Sequence, residues 1–279
     1  MVRRALVLGG GGVTGIGWEW GVLAGLAAGG VDLAGADLVV GTSAGSVVGA
    51  QVAAGLDVEQ RYQAQLVPPA GEIAAAFGAG ALLRYGLALV GPPSPQRFRA
   101  RLGRLALRAR TVPESERVEV IASRLPVHEW PSQRRLLVTA VDAATGEFRA
   151  FDRESGVPLV LAVAASCAVP FVWPPVTIDG RRYIDGGVRS GTNADLAAGY
   201  DRVVVLAPLP RGFGLTASAH AQVEALRAES NAVLVSPDRE ALQAIGRNVL
   251  DPAKRAAAAR AGRAQAGAVL DEVRAVWSD

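Results

Sequence analysis

The 279-residue chain has one cysteine, Cys167, two histidines, His128 and His220, and one lysine, Lys254. A single thiol excludes a disulfide framework and a multi-thiolate zinc site, and two histidines leave little for a histidine-built metal centre. Only 20% of the residues are charged and 50% are hydrophobic, which excludes a disordered polar chain. Long hydrophobic runs are missing too. Behind Arg3 and Arg4 the apolar run Ala5 to Leu8 is four residues, whereas a secretory h-region needs roughly 7–15. The uncharged stretch from Gly156 to Ile178 contains Pro158, Pro170, Pro174 and Pro175. Four prolines in a lipid-spanning helix would free too many backbone groups, so a buried helix over about 159–168 and then an extended segment are expected. Acidic residues are absent from Ile73 to Val112, where seven arginines fall. The formal net charge is +3, and removing those seven leaves the rest of the chain at −4. The positive charge is therefore one local block, and no nucleic-acid partner is expected.

What is present reads as alternating strands and helices. Ala5 to Leu8 is a buried-strand run, Gly9 to Gly12 a loop, and Trp18 to Ala28 a helix ending at Gly29-Gly30. The plan repeats with a strand at Leu38 to Val40, a turn at Gly41 to Gly45, and a helix from Ser46 to Ala54. Two such units in succession predict a parallel sheet with crossover helices. The middle, about 57–130, reads as helical and irregular. Strands return at 135–141 and 148–151, and Val176 to Ile184 is a hairpin turning at Asp179-Gly180. Later buried strands fall at 203–207 and 232–235. Asp251 and Pro252 open a long C-terminal helix to about Trp277. With no repeat and no linker, one domain over 1–279 is expected.

Gly41-Thr42-Ser43-Ala44-Gly45 matches G-x-S-x-G between a strand and a helix, the context that presents a nucleophilic serine on a sharp turn. The neighbours two residues either side must lack side chains, and the helix N-terminus favours developing negative charge. Such a serine needs a base. His128 lies in a proline-bounded loop and His220 in a predicted helix, each with an ordinary surface or packing role open to it. Asp185, at the end of an apolar strand and before Gly186-Gly187, is the better placed candidate, although an Asp-Gly-Gly turn is also the plain reading. Gly10-Gly11-Gly12-Val13-Thr14-Gly15 fits G-x-G-x-x-G and could cradle a pyrophosphate, which leaves a nucleotide-binding oxidoreductase as an alternative. That pattern also asks for an acid at the end of the second strand. Here Asp37 stands at its beginning. The same glycine amides beside a nucleophile would instead make an oxyanion hole.

Taken together, Gly10 to Gly15, Gly41 to Gly45 and Asp185-Gly186-Gly187, in that order, resemble the patatin-like phospholipase family of lipid acyl hydrolases. Ala164 to Pro170 also resembles that family's stretch upstream of the aspartate. The resemblance covers roughly residues 5–210. It implies a three-layer α/β/α fold with a mainly parallel central sheet, and a Ser43–Asp185 dyad in which Ser43 is the nucleophile and Asp185 the base. The amides of Gly10, Gly11 and Gly12 would form the oxyanion hole, with Gly15, Gly41, Gly45, Gly186 and Gly187 supporting the motifs. No cofactor or metal is implied. The implied substrate is a fatty-acyl ester of a phospholipid or related lipid. A non-catalytic lipid-binding module on the same fold is the other alternative. One departure is Thr14, where the family usually has Arg or Lys.

In the arginine block, Arg97, Arg101, Arg104 and Arg108 fall on one helical face, and Phe98, Leu102, Leu105 and Ala109 on the adjacent one. A basic amphipathic helix of this kind can lie on an anionic membrane, although an ordinary surface helix with a solvated face is the plain reading. Ile73 to Val90, apolar with glycines at 78, 80 and 86, suits a lid, an acyl-chain wall or plain core, so about 70–112 is a candidate lid or membrane-facing segment. A cytoplasmic or peripherally membrane-associated enzyme is expected.

Overall fold

The computed structural model describes residues 2–68, 94–211 and 216–278, with residues 75, 80, 85, 86 and 88 between them. The first strand, β1 (Arg4–Leu8), is followed by α1 (Gly12–Ala28), β2 (Leu38–Gly41), α2 (Ala44–Ala53) and α3 (Val58–Leu66). Next come α4 (Pro95–Ala106), α5 (Glu114–Arg124), β3 (Arg135–Asp142), β4 (Phe148–Phe151), α6 (Leu159–Ser166), β5 (Val176–Ile178) and β6 (Arg181–Asp185). The chain closes with β7 (Arg202–Leu206), α7 (Ala219–Leu226), β8 (Asn231–Val235), α8 (Arg239–Ile245) and α9 (Arg255–Trp277). The strands join one mixed sheet, paired β5–β6–β3–β2–β1–β7–β8, with β4 also on β3. β3, β2, β1, β7 and β8 are mutually parallel, as the repeated strand–helix units predict; β4, β5 and β6 are antiparallel additions at one end.

Register along β3 explains where the site lies. Val138 pairs with both Gly41 and Phe151, and Ala140 with both Arg149 and Asp185. A strand residue has one partner on each side, so β4 fills one edge of β3 while β2 and β6 share the other. β2 runs up that edge and β6 runs down it. Their C-terminal ends meet head-on across Thr139, with partner positions two residues apart, roughly 7 Å. The chain segments leaving those two ends carry Ser43 and Asp185.

Side chains alternate across the sheet. Leu6, Leu8, Val39, Val204 and Leu206 pack with α1, α2, α6 and α9 in the larger core, while Ala5, Val7, Leu38, Val40, Val203 and Val205 pack with α7 and the short turn at 194–197. The result is three layers, helices on both faces of the sheet, in agreement with the expected class. The first helix starts at Gly12 and not near Trp18. Its glycines make it a weak helix by propensity, but they allow α9 to approach closely: a Cβ on Gly21 would sit 2.1 Å from the Ala259 carbonyl oxygen. Tertiary packing outweighs propensity here. Trp18 Nε1 donates to Gln265 Oε1 at 2.9 Å and locks the pair.

The Asp179-Gly180 hairpin turn has both residues at positive φ, 48° and 74°, the mirror-image turn that suits sheet twist. Asp251 caps a single 3-10 turn at Pro252–Lys254 before α9 begins. The candidate lid at 73–90 lies outside the described residues except at the five single positions above.

Candidate active site

β2 delivers the chain into a sharp turn at Ser43, whose φ is 52° and ψ −117°. A non-glycine residue in that region is strained, and here the surroundings over-determine it. The Ser43 amide donates to Ser166 Oγ at 2.9 Å, and the Ser43 carbonyl accepts from Ser46 Oγ at 2.6 Å and from Cys167 Sγ at 3.2 Å. The glycines two residues either side are sterically required. A Cβ on Gly41 would meet the Ser46 Cα at 2.5 Å, and one on Gly45 would meet the Leu8 carbonyl oxygen at 2.1 Å.

Asp185 ends β6. Its Oδ1 accepts the Gly187 amide at 2.7 Å, and its own amide donates to the Ala168 carbonyl at 3.0 Å. The Ser43 side chain is near enough to favour its charged form. Burial raises the Asp185 pKa from 3.8 to about 6, opposed in turn by Ser43, by the Gly187 amide and by the Arg117 charge. Only 5% of Asp185 and 8% of Ser43 are exposed. A carboxyl with that pKa is a competent proton acceptor near neutral pH, which an ordinary aspartate is not.

Both side chains line a cavity of about 420 Å³ whose wall is mainly apolar, with Ile16, Phe98, Leu102, Trp173, Val188 and Leu250 among its residues. The size is within the ordinary range for small-molecule sites, roughly 300–1,000 Å³. Gly10, Gly11, Gly12 and Ala44 also border it. One expectation needs correction here. The Gly10 amide donates to the Gly191 carbonyl at 2.8 Å, so it is engaged in fastening the loop and is not offered to a bound oxyanion. The amides of Gly11, Gly12 and Ala44 have no acceptor among the described residues. The latter two open α1 and α2, where helix polarity adds to their pull on an anion.

The Thr14 side chain is fully buried and turned into the scaffold, donating to the Val249 carbonyl at 3.2 Å. Gly15 packs between Pro208 and Ala44. A Cβ on Gly186 would meet Thr139 Oγ1 at 2.2 Å, which explains the first glycine after the aspartate; one on Gly187 would meet Asp185 Oδ1 at 2.9 Å. Both histidines are exposed and neither lines the cavity. Asp37 accepts the Arg4 amide at the far end of β2 and holds nothing near the glycine loop, so the nucleotide pattern lacks its ribose acid.

Sequence reasoning missed several participants. Asn193, fully buried at φ 51°, donates through Nδ2 to Ser190 O at 2.9 Å and Thr42 Oγ1 at 3.0 Å, with longer contacts to Thr139 Oγ1 at 3.3 Å and Gly186 O at 3.4 Å. Thr139 Oγ1 in turn donates to Thr42 Oγ1 at 2.9 Å. This network ties the serine turn to the aspartate loop across the gap between β2 and β6. Arg117, 4% exposed, stacks its guanidinium 3.9 Å from the Trp173 ring centroid at the cavity wall. Cys167 is a buried thiol whose pKa burial and Asp185 push up to about 11, which suits a hydrogen-bond donor and not a nucleophile. Of these, only the Ala164–Pro170 stretch, which holds Ser166 and Cys167, left a signal in the sequence.

Solved structures similar to the chain include VipD and ExoU. VipD from Legionella pneumophila is 13% identical with a TM-score of 0.48, covering 97% of this chain and 67% of its own. The type III effector protein ExoU is 14% identical with a TM-score of 0.41, covering 98% of this chain and 53% of its own. This chain thus spans only about half the length of ExoU. No curated protein matches the sequence. The sequence model described as patatin-like phospholipase matches residues 6–198. That span runs from β1 through the serine turn, the aspartate loop and Asn193, and the chain belongs to the patatin-like phospholipase family.

Proposed function

We propose that the protein is a serine acyl hydrolase that cleaves fatty-acyl carboxylic esters of phospholipids or related lipids through a Ser43–Asp185 dyad. The observation that carries this is the Ser43 hydroxyl on a strained turn beside a buried carboxyl of pKa about 6, at the wall of a mainly apolar cavity. Ser43 Oγ attacks the ester carbonyl carbon and Asp185 takes its proton. The amides of Gly11, Gly12 and Ala44 hold the oxyanion. When the tetrahedral intermediate collapses, Asp185 returns the proton to the departing alcohol oxygen and an acyl-serine remains. A water then attacks that ester with Asp185 as base, Asp185 passes the proton to the departing Ser43 Oγ, and the fatty acid leaves. The apolar wall suits an acyl chain, and burial of the dyad keeps competing water sparse.

The test is fluorophosphonate labelling together with hydrolysis of a short-chain and a long-chain nitrophenyl ester by wild type, Ser43→Ala and Asp185→Asn. Label and turnover should vanish with Ser43→Ala. Turnover should fall by roughly 10³-fold or more with Asp185→Asn, and the long chain should be preferred. Folded wild-type protein that neither labels nor hydrolyses would sink the reading.

A further inference from the structure

Helix α4 has two working faces. Its inward side places Phe98 and Leu102 in the wall of the dyad cavity, and Gly103 against Ala143. About a quarter-turn away, at i, i+4, i+7 spacing, stand Arg97, Arg101 and Arg104, and Arg108 follows in the turn just past the helix end. Arg97, Arg104 and Arg108 are exposed and Arg101 is half-buried. Arg97, Arg101 and Arg104 border a second, open cleft of about 640 Å³, which Gln96 of the same helix and Ala144 and Thr145 also line, with no carboxylate in its described lining. Among the described residues no ion pair neutralises Arg97, Arg104 or Arg108. Leu107, at the C-terminal end of α4, is 38% exposed, one of few large apolar side chains left in solvent.

We propose that this outer face of α4, with Arg97, Arg101 and Arg104 at the open cleft and Arg108 just past the helix end, is the surface by which the protein docks on an anionic phospholipid bilayer. Charge complementarity supplies the first argument. The chain's positive charge is concentrated in this block, the remainder is net negative, and a flat anionic surface is the partner that engages one stripe while the rest stands off. Continuity supplies the second. One short helix carries Arg97, Arg101 and Arg104 and also part of the cavity wall, so a bilayer held on the basic stripe lies next to the site that would take its acyl chains. A nucleic acid would meet the same guanidiniums, but nothing joins that partner to an apolar cavity, and the exposed face of α4 carries no aromatic ring on which bases could stack.

This inference depends on the acyl-hydrolase reading for its purpose, but its test does not. Full-length protein is sedimented with vesicles of phosphatidylcholine alone and of phosphatidylcholine with roughly one third phosphatidylglycerol, in about 0.1 M and in raised salt. Wild type and Ser43→Ala should bind the anionic vesicles alike, bind the neutral ones weakly, and be released by salt. The triple substitution Arg97→Gln, Arg104→Gln, Arg108→Gln should lower the partition coefficient at least tenfold, each neutralised arginine removing roughly a factor of five. It should leave circular dichroism and hydrolysis of the soluble short-chain ester unchanged. The matching triple lysine variant should bind like wild type. Retained binding by the folded glutamine variant, no preference for anionic vesicles, or tighter binding to a single-stranded oligonucleotide than to the vesicles would each overturn the proposal. Binding without hydrolysis by wild type would instead remove the acyl-hydrolase reading and leave the docking surface standing.

Discussion

Asp185 is kept in a place that costs the fold stability. Its pKa stands at about 6 against an ordinary 3.8, with burial the largest cause. A carboxyl raised in this way contributes stability that is fully present below the unfolded value and is lost as pH rises through the folded one. The penalty thus grows between pH 3.8 and about 6 and is complete above that. The rise corresponds to about 3 kcal/mol. Asp185→Asn removes the charge and keeps an acceptor for the Gly187 amide. The variant is expected to be more stable than wild type by about 1–3 kcal/mol at about pH 8, a Tm gain of about 3–10 °C for a chain of this size. At about pH 4 the gain should vanish, because wild type is then neutral as well. Thermal unfolding of both proteins across that range measures it directly. The same ionisation should appear in turnover, with kcat/KM of wild type falling on the acid side with an apparent pKa of about 6. An Asn variant less stable than wild type at high pH, or a stability difference that does not change with pH, would refute the reasoning.

Gly45→Ala should cost about 3 kcal/mol or more, since the new methyl falls on the Leu8 carbonyl and neither β1 nor α2 can yield; denaturant unfolding would show it. Asn193→Ala should lower turnover roughly 10²-fold by loosening the tie between the serine turn and the aspartate loop, and should cost a further ~1–3 kcal/mol for each partner left unsatisfied. Glu19 is a second buried acid, with neither carboxyl oxygen hydrogen-bonded among the described residues and burial raising its pKa well above the usual value. Glu19→Gln should therefore raise Tm at alkaline pH and change it little at acid pH, and an unchanged difference across that range would count against a neutral, buried Glu19.

The sequence by itself determined the strand–helix alternation, because buried parallel strands are short apolar runs and the loops between them are marked by glycine. It determined the elbow at Ser43 as well, through its glycine pattern between a strand and a helix; Gly41 is demanded by Ser46 within that turn, and Gly45 by the Leu8 carbonyl of the neighbouring strand. The start of α1 was not legible, because its glycines argue against a helix until α9 packs on them. Nor was the choice among amides at the glycine loop: Gly10 is engaged by Gly191, a partner far along the chain, and long-range hydrogen bonds leave no local pattern. Thr139 and Asn193 are ordinary residues in sequence and become a tie only where three segments converge. Above all, the sequence names Ser43 and Asp185 separately. Tertiary structure alone brings them together, by running β2 and β6 toward each other along one edge of β3, and gives Asp185 its basicity by closing the fold over it. Motifs record what the nearby backbone requires; proximity and desolvation are properties of the whole packed chain.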